Sequence, residues 1–145
     1  MQPTPRRGWR ALVHKMSYLS ALQGMSLEQI RSVIEIMQQS SDAYMYILDL
    51  NMDIYMLAEK ATKRFPFHST VIENCTETLK KIIYPSDYEM VAADIEKCRS
   101  GEQDNHTLEY RWLDRMGRVV WISCRGTVVT GTEGHRLLIG SVSEL

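Results

Sequence analysis

Residues 108–126 read Leu-Glu-Tyr-Arg-Trp-Leu-Asp-Arg-Met-Gly-Arg-Val-Val-Trp-Ile-Ser-Cys-Arg-Gly, and they decide the fold. The aromatic and β-branched residues on either side of residues 114–117 predict two antiparallel strands joined by a tight turn. Gly117 favours that turn because glycine adopts positive φ without a steric penalty. Both strands carry apolar residues on both faces. We therefore expect helices against one face of the sheet, and a ligand, a partner or the N-terminal segment against the other.

The composition is that of an ordinary soluble domain, with 145 residues of which 44% are hydrophobic and 24% are charged. No apolar run approaches the roughly 20 residues that a membrane helix needs, and no secretory leader is expected. The three cysteines are odd in number and widely spaced, which favours a reducing compartment over a disulfide framework. The sequence therefore predicts a cytoplasmic module that neither inserts into a membrane nor binds nucleic acid.

Residues 1–40 are predicted to form a basic arm followed by amphipathic helices. Apolar residues at spacings of three and four predict a helix over residues 9–22, and Ser26 with Gln29 marks the start of another. The second helix carries one apolar stripe, Leu27, Ile30, Val33, Ile34 and Met37. This stripe either packs on the chain's own sheet or forms a homodimer with the same helix of a second copy, and both arrangements can hold at once.

The rest of the chain alternates strand and helix signals. Strands are predicted over residues 43–50 and 54–57, short helices within 58–83, a longer helix over 87–99 and a last strand over 136–142. Pro85 ends the preceding helix, Ser86 is a suitable N-cap, and Gly101 ends the longer helix. This order suits an α+β fold in which an antiparallel sheet carries its helices on one face.

The second half also carries a set of motifs: Pro85-Ser86-Asp87, Ser100-Gly101-Glu102, Leu108-Glu109-Tyr110-Arg111, Gly117-Arg118 and Trp121. Together they resemble a PAS domain of the subgroup with a His-Pro-x-Asp start, a Tyr-Arg strand and a Gly-x-x-x-Trp hairpin. Tyr84 stands where that subgroup often has histidine. The resemblance covers residues 41–145 and is strongest to PAS domains that precede bacterial GGDEF diguanylate cyclase domains.

This resemblance implies a five-stranded antiparallel sheet in the order 2-1-5-4-3, with helices on one face that enclose a cavity. It also implies a sensory module of signal transduction that binds a small molecule or relays a dimer rearrangement to an output domain. No GGDEF sequence occurs within residues 1–145, so that output domain is expected outside this chain. A ligand-free PAS-fold dimerisation module is the first alternative, and a small α+β enzyme is an alternative of another class.

One face of the predicted sheet supplies a candidate ligand pocket with aromatic walls. Its residues are Tyr44, Tyr46, Leu48, Tyr110, Trp112 and Trp121. The alternative, which is the more common outcome for such residues, is that these side chains simply fill the core. The choice of face depends on register, because a slip of one residue moves every side chain to the other side.

The sequence offers little for a cofactor, a metal or catalysis. Cys75 lies in Asn74-Cys75-Thr76-Glu77, which lacks the Asn-Cys-Arg-Phe pattern of flavin-binding light sensors, and residues 87–99 lack the histidine of a haem-binding variant. His68 lies in a loop. Ser123 and Cys124 have no adjacent base in the sequence, so we expect neither cofactor nor enzymatic activity.

Overall fold

A computed structural model describes residues 27–130 and 135–145, with the side chain of Leu27 left out. The helix predicted over residues 9–22 lies outside this range. The helices are α1 Leu27–Gln39, α2 Glu59–Arg64, α3 Cys75–Ile82 and α4 Tyr88–Ser100, with a 3₁₀ turn at Pro85–Asp87. The strands are β1 Tyr44–Asp49, β2 Ile54–Leu57, β3 Val71–Glu73, β4 Asn105–Leu113, β5 Val119–Thr130 and β6 Arg136–Glu144. None of the described helices is long and apolar enough to cross a membrane.

The strands form one antiparallel sheet of six in the order β3-β2-β1-β6-β5-β4. The α+β class with an antiparallel sheet is confirmed, whereas the prediction of five strands in the order 2-1-5-4-3 is wrong. The difference is β3, which pairs with β2 and forms one edge. Three residues are too few to show the alternation by which a strand is recognised in a sequence.

The helices lie on both faces of the sheet. α2, α3 and α4 cover the face that carries Tyr46 and Leu48 of β1. α1 covers part of the opposite face, where Ile30 and Ile34 pack on a second apolar cluster that includes Leu137 of β6. The prediction that helices gather on one face therefore holds for α2–α4, and α1 lies on the opposite face, where the N-terminal segment was one of the expected occupants. The boundary between residues 1–40 and 41–145 stays a prediction.

The β4–β5 hairpin has the predicted glycine turn. Gly117 has φ 76°. The Asp114 carboxylate closes the loop by accepting hydrogen bonds from the backbone N–H groups of Met116, at 2.8 Å, and Arg118, at 2.9 Å. These bonds, with the Arg64 guanidinium, hold the pKa of Asp114 below its ordinary value. The loop thereby sets the register in which Leu113 faces Val119.

The helix α4 begins one residue later than predicted. Pro85–Asp87 forms a 3₁₀ turn, so Ser86 precedes the helix without capping it. The Asp87 carboxylate instead accepts hydrogen bonds from the backbone N–H and the guanidinium of Arg111 on β4. Gly101 ends the helix in the left-handed conformation, with φ 87°, as predicted.

Candidate ligand cavity between the helices and the sheet

A cavity of about 170 Å³ lies between α3, α4 and the sheet. Its apolar wall is made by side chains from all three, namely Leu48, Leu79, Ile83, Val91 and Ile95. Asp53, Cys75, Thr76 and Arg99 line the rest together with Tyr88 and Ala92. A mostly apolar chamber with a few polar groups is the usual composition of a small-molecule site.

The polar end of this cavity is organised by Asp53, which has φ 57° in the turn between β1 and β2. Its carboxylate accepts hydrogen bonds from Thr76 Oγ1 and from Cys75 Sγ, each at 2.9 Å. Burial, together with that bond, raises the pKa of the Cys75 thiol. The thiol therefore stays protonated at neutral pH and joins the start of α3 to the β1–β2 turn.

A second, deeper cavity of about 20 Å³ adjoins the first. Leu48, Leu79, Ile83 and Ile95 line both, so aliphatic side chains form the partition between them. The deeper cavity is also lined by aromatic and polar residues: Tyr46, Tyr55, His106, Tyr110, Trp112 and Cys124. About 20 Å³ is enough for one water molecule or one polar atom of a ligand.

The hydroxyl and thiol groups around the deep cavity are neutral. Burial raises the pKa values of Tyr46, Tyr55 and Tyr110 well above their ordinary value. Burial also raises the pKa of Cys124 to about 11. Tyr46 Oη and Cys124 Sγ lie 3.3 Å apart and share a hydrogen bond. These groups can donate or accept hydrogen bonds, and none of them carries charge at neutral pH.

Trp112 has a buried polar atom without a good partner. Only 2% of the residue is exposed, and its ring makes edge contacts with Phe65 and Phe67 at centroid distances of 4.9 and 5.5 Å. Nε1 has no acceptor in hydrogen-bonding geometry among the described residues. Nε1 interacts with the Tyr110 hydroxyl, and this interaction partly opposes the rise that burial causes in the pKa of Tyr110. An unpaired buried N–H costs about 1–3 kcal/mol.

A histidine that the sequence reasoning missed connects α4 to the sheet. His106 of β4 is buried, and its Nδ1 lies 2.6 Å from Oδ2 of Asp94 on α4. The signal was present in the sequence, because His106 shares the strand face of Leu108, Tyr110 and Trp112 at a spacing of two. A strand pattern considered only from its aromatic residues overlooks such a polar member.

Five of the six predicted pocket residues share the face covered by α2–α4: Tyr44, Tyr46, Leu48, Tyr110 and Trp112. Tyr44 lies further along the sheet, where its ring packs on Phe65 and its hydroxyl donates to Glu144. The placement of Trp121 is wrong. It faces Arg111 across the hairpin, is 52% exposed and lies on the opposite side from Tyr110, whose partner is Ile122. That these residues bind a ligand stays a prediction.

The predicted dimer helix is divided between two environments. Ile30 and Ile34 are buried against the sheet, which supports packing within the chain. Val33 and Met37 are 42% and 47% exposed and border an apolar groove of about 190 Å³ along α1. The side chain of Leu27 lies outside the described residues. Pairing with a second copy stays a prediction.

The other candidates from the sequence are placed as follows. His68 is exposed in the loop before β3. Ser123 and Cys124, as neighbours on β5, point to opposite faces. Within residues 27–130 and 135–145, no three His, Cys, Asp or Glu side chains come together in a way that could hold a metal ion.

Comparison with known proteins places this sheet and its helices in a family. The family model of the PAS fold matches residues 68–142, which is more than half of the chain. The chain therefore belongs to the PAS fold family. The finer assignment to the His-Pro-x-Asp subgroup stays a prediction. No curated protein sequence matches the chain.

Several solved structures share the fold. A sensory box histidine kinase/response regulator from Burkholderia thailandensis is 19% identical over 74% of this chain and 79% of that chain, with a TM-score of 0.59. The N-terminal domain of a diguanylate cyclase with PAS/PAC sensor from Marinobacter aquaeolei is 22% identical over 71% and 94%, with a TM-score of 0.59. The PAS domain of the quorum-sensing receptor RpfR from Cronobacter turicensis, in complex with BDSF, is 12% identical over 72% and 95%, with a TM-score of 0.54.

Proposed function

We propose that this chain is a sensory module of signal transduction that binds a small molecule between its helices and its sheet. The observation that carries this proposal is the cavity of about 170 Å³ beneath α3 and α4. The solved PAS domain from Cronobacter turicensis with bound BDSF supports ligand binding as a use of this fold. We propose that it acts in the cytoplasm of a bacterium, because its motifs resemble those of PAS domains that precede bacterial GGDEF domains.

Transmission of the signal follows from the bonds around the cavity. Asp94 connects α4 to His106 of β4, and Asp53 connects α3 to the β1–β2 turn. A ligand that binds one spacing of helices and sheet better than another shifts the equilibrium between them. The displacement then reaches β5 and β6, since both pair within the same sheet.

The proposed output is a diguanylate cyclase domain of the GGDEF type. The motifs of the hairpin support it, and so does the fold shared with the N-terminal domain of the Marinobacter aquaeolei cyclase. A fusion of residues 1–145 to a GGDEF domain tests this part of the proposal. We expect the rate of cyclic di-GMP formation to change when a cavity ligand is added, whereas an unchanged rate would count against this output.

Ligand binding itself is tested by a thermal-shift screen against a metabolite library. We expect at least one compound to raise the melting temperature. Ala92 lines the cavity, so Ala92→Phe should abolish that shift by placing a ring inside the chamber. Ala93→Phe is the matched control, because the neighbouring alanine is exposed on α4. A shift that survives in the Ala92→Phe variant would place binding elsewhere.

A PAS-fold dimerisation module is the second candidate, and the exposed side of α1 favours it. Val33, Ile36 and Met37 expose apolar surface beside the groove of about 190 Å³. A second copy that presents the same residues would form an isologous interface. Light scattering of the Val33→Ser/Met37→Ser variant tests the homodimer, with Met90→Ser as a control on α4. The proposed dimer is wrong if the unmodified chain is monomeric at high concentration.

We propose no catalytic role for the chain. Cys124 is the most reactive residue type on β5, but burial raises the pKa of its thiol to about 11. A nucleophilic cysteine instead needs a lowered pKa. The neighbouring Ser123 points to the other face of the sheet, so the two side chains cannot act together.

A further inference from the structure

Trp112, whose Nε1 has no well-placed acceptor, lines a cavity large enough for one polar atom. Trp112 lines the deep cavity of about 20 Å³, which shares an aliphatic partition with the larger chamber. Buried N–H groups in folded proteins nearly always have an acceptor. Here no acceptor among the described residues has the required geometry. The Tyr110 hydroxyl is close enough to interact with this group, and an acceptor atom supplied from outside the chain would give it a well-placed partner.

The lining of the larger chamber indicates the chemical nature of the rest of the ligand, beyond its acceptor atom. Leu79 and Ile95 form part of the partition, and Leu48 lines both sides of it. These aliphatic walls suit a hydrocarbon group of a ligand. A molecule that reaches Trp112 from the chamber has to pass between these side chains, which change rotamer more readily than the backbone moves.

The residues around the deep cavity disfavour an ionised head group at Trp112. No lysine or arginine is among the described residues that line the deep cavity, and His106 is already bound to Asp94. At the outer rim, Arg99 is paired with Glu96 on its own helix, and Asp53 contributes a carboxylate. In the deep cavity, an anion or a cation would lose its hydration without gaining a lysine, arginine or free carboxylate as counter-ion.

We propose that the ligand is a small uncharged molecule, mostly hydrocarbon, whose single hydrogen-bond acceptor binds Trp112 Nε1. This inference rests on the proposed sensory function and adds the chemical class of the ligand. Trp112 is a binding residue in this arrangement, and the neutral hydroxyl groups of Tyr46 and Tyr110 supply the polar surroundings of the acceptor.

The test compares the binding of three probes of similar length and different charge, 2-heptanone, heptanoate and heptylamine at pH 7, to ¹⁵N-labelled protein of residues 1–145. We expect 2-heptanone to bind at least tenfold more tightly than either charged probe. We also expect it to move the indole N–H resonance of Trp112 downfield, as a new hydrogen bond does. The Trp112→Phe variant identifies that resonance by its disappearance.

The same variants measure how much the hydrogen bond contributes. Trp112→Phe keeps an aromatic ring and should weaken 2-heptanone binding about three- to tenfold. Trp121→Phe is the matched control, since its half-exposed ring lies on the other face of the sheet, and it should leave the affinity unchanged. Circular dichroism of both variants establishes that each is folded.

Several results would overturn the inference. One is tighter binding of heptanoate or heptylamine, and another is perturbation of the Leu79 and Ile95 methyl groups by 2-heptanone without movement of the Trp112 resonance. A magnetisation transfer from water to the indole N–H that persists in saturating 2-heptanone would assign a structural water instead. In all of these cases the proposed function stands if the metabolite screen gives a hit that Ala92→Phe abolishes. A screen without any hit contradicts the proposed function itself.

Discussion

Truncation of the two tryptophans of the hairpin is expected to have different costs. Only 2% of the surface of Trp112 is exposed, whereas Trp121 is half exposed. Replacement of a buried tryptophan by alanine costs about 3–5 kcal/mol. The unpaired Nε1–H of Trp112 is removed at the same time, which offsets about 1–3 kcal/mol. We therefore expect Trp112→Ala to lower the free energy of unfolding by about 2 kcal/mol.

Trp121→Ala should cost about half as much. Its indole lies 5.1 Å from Arg111 Cζ, a cation–π contact that contributes about 0.5–1 kcal/mol at an exposed site. The Arg111 guanidinium keeps its other partners, the Tyr84 ring at 4.1 Å and the Asp87 carboxylate. Including the partial burial of the ring, we expect a loss of about 1 kcal/mol.

The measurement is urea unfolding followed by circular dichroism, because fluorescence changes when either tryptophan is removed. The slope of free energy against urea should be similar in both variants, so that the midpoints report stability directly. Equal losses for the two variants, or a larger loss for Trp121→Ala, would contradict the assignment of the two rings to opposite faces.

Three further predictions concern the backbone, pH and thiol chemistry. Gly140→Ala should lower the free energy of unfolding by about 3 kcal/mol or more, because an added Cβ would lie 1.9 Å from a backbone oxygen of the adjacent strand. Gly117→Ala, where the space is open but φ is 76°, should cost only about 1–2 kcal/mol in the same urea assay. The Arg111 guanidinium lowers the pKa of Asp87, so this pair stabilises the fold above the ordinary pKa of about 3.9 and the stabilisation is lost as pH falls below it. Asp87→Asn should therefore reduce the fall in the free energy of unfolding between about pH 4 and pH 2. If urea titrations show the same fall in the variant and the unmodified chain, this prediction is wrong. Iodoacetamide at pH 8 should leave Cys75 unmodified until urea unfolds the chain, as judged by mass spectrometry, because burial beside a carboxylate raises the pKa of its thiol.

Much of the fold could be predicted where a local signal decides the structure. Gly117 and Gly101 adopt the positive φ expected from their positions, and the alternation in residues 44–48 gives the two faces of β1. The strand Val71–Glu73 could not be predicted, because its pairing with β2 depends on tertiary contacts and not on a visible pattern.

The candidate site was less predictable than the fold. Trp121 was assigned to the wrong face because register is set by the hydrogen bonds that Asp114 makes within the turn, and a one-residue difference reverses the face. The two cavities could not be predicted from the sequence, because their volumes depend on the distance between α4 and the sheet. The buried His106 could have been found from its spacing to Tyr110 and Trp112.

The distance between α4 and the sheet has a consequence for the size of molecule that fits. Asp87, at the start of the helix, is bound to Arg111, and Asp94, at its middle, is bound to His106, so both bonds fix the same helix to β4. A molecule larger than the chamber has to lengthen these short bonds or move α3. Affinity in a homologous series of ligands should therefore rise with each added methylene until the chamber is full, and then fall sharply. The carboxylates of Asp87 and Asp94 thereby limit the length of the ligand that fits, although neither lines the deep cavity.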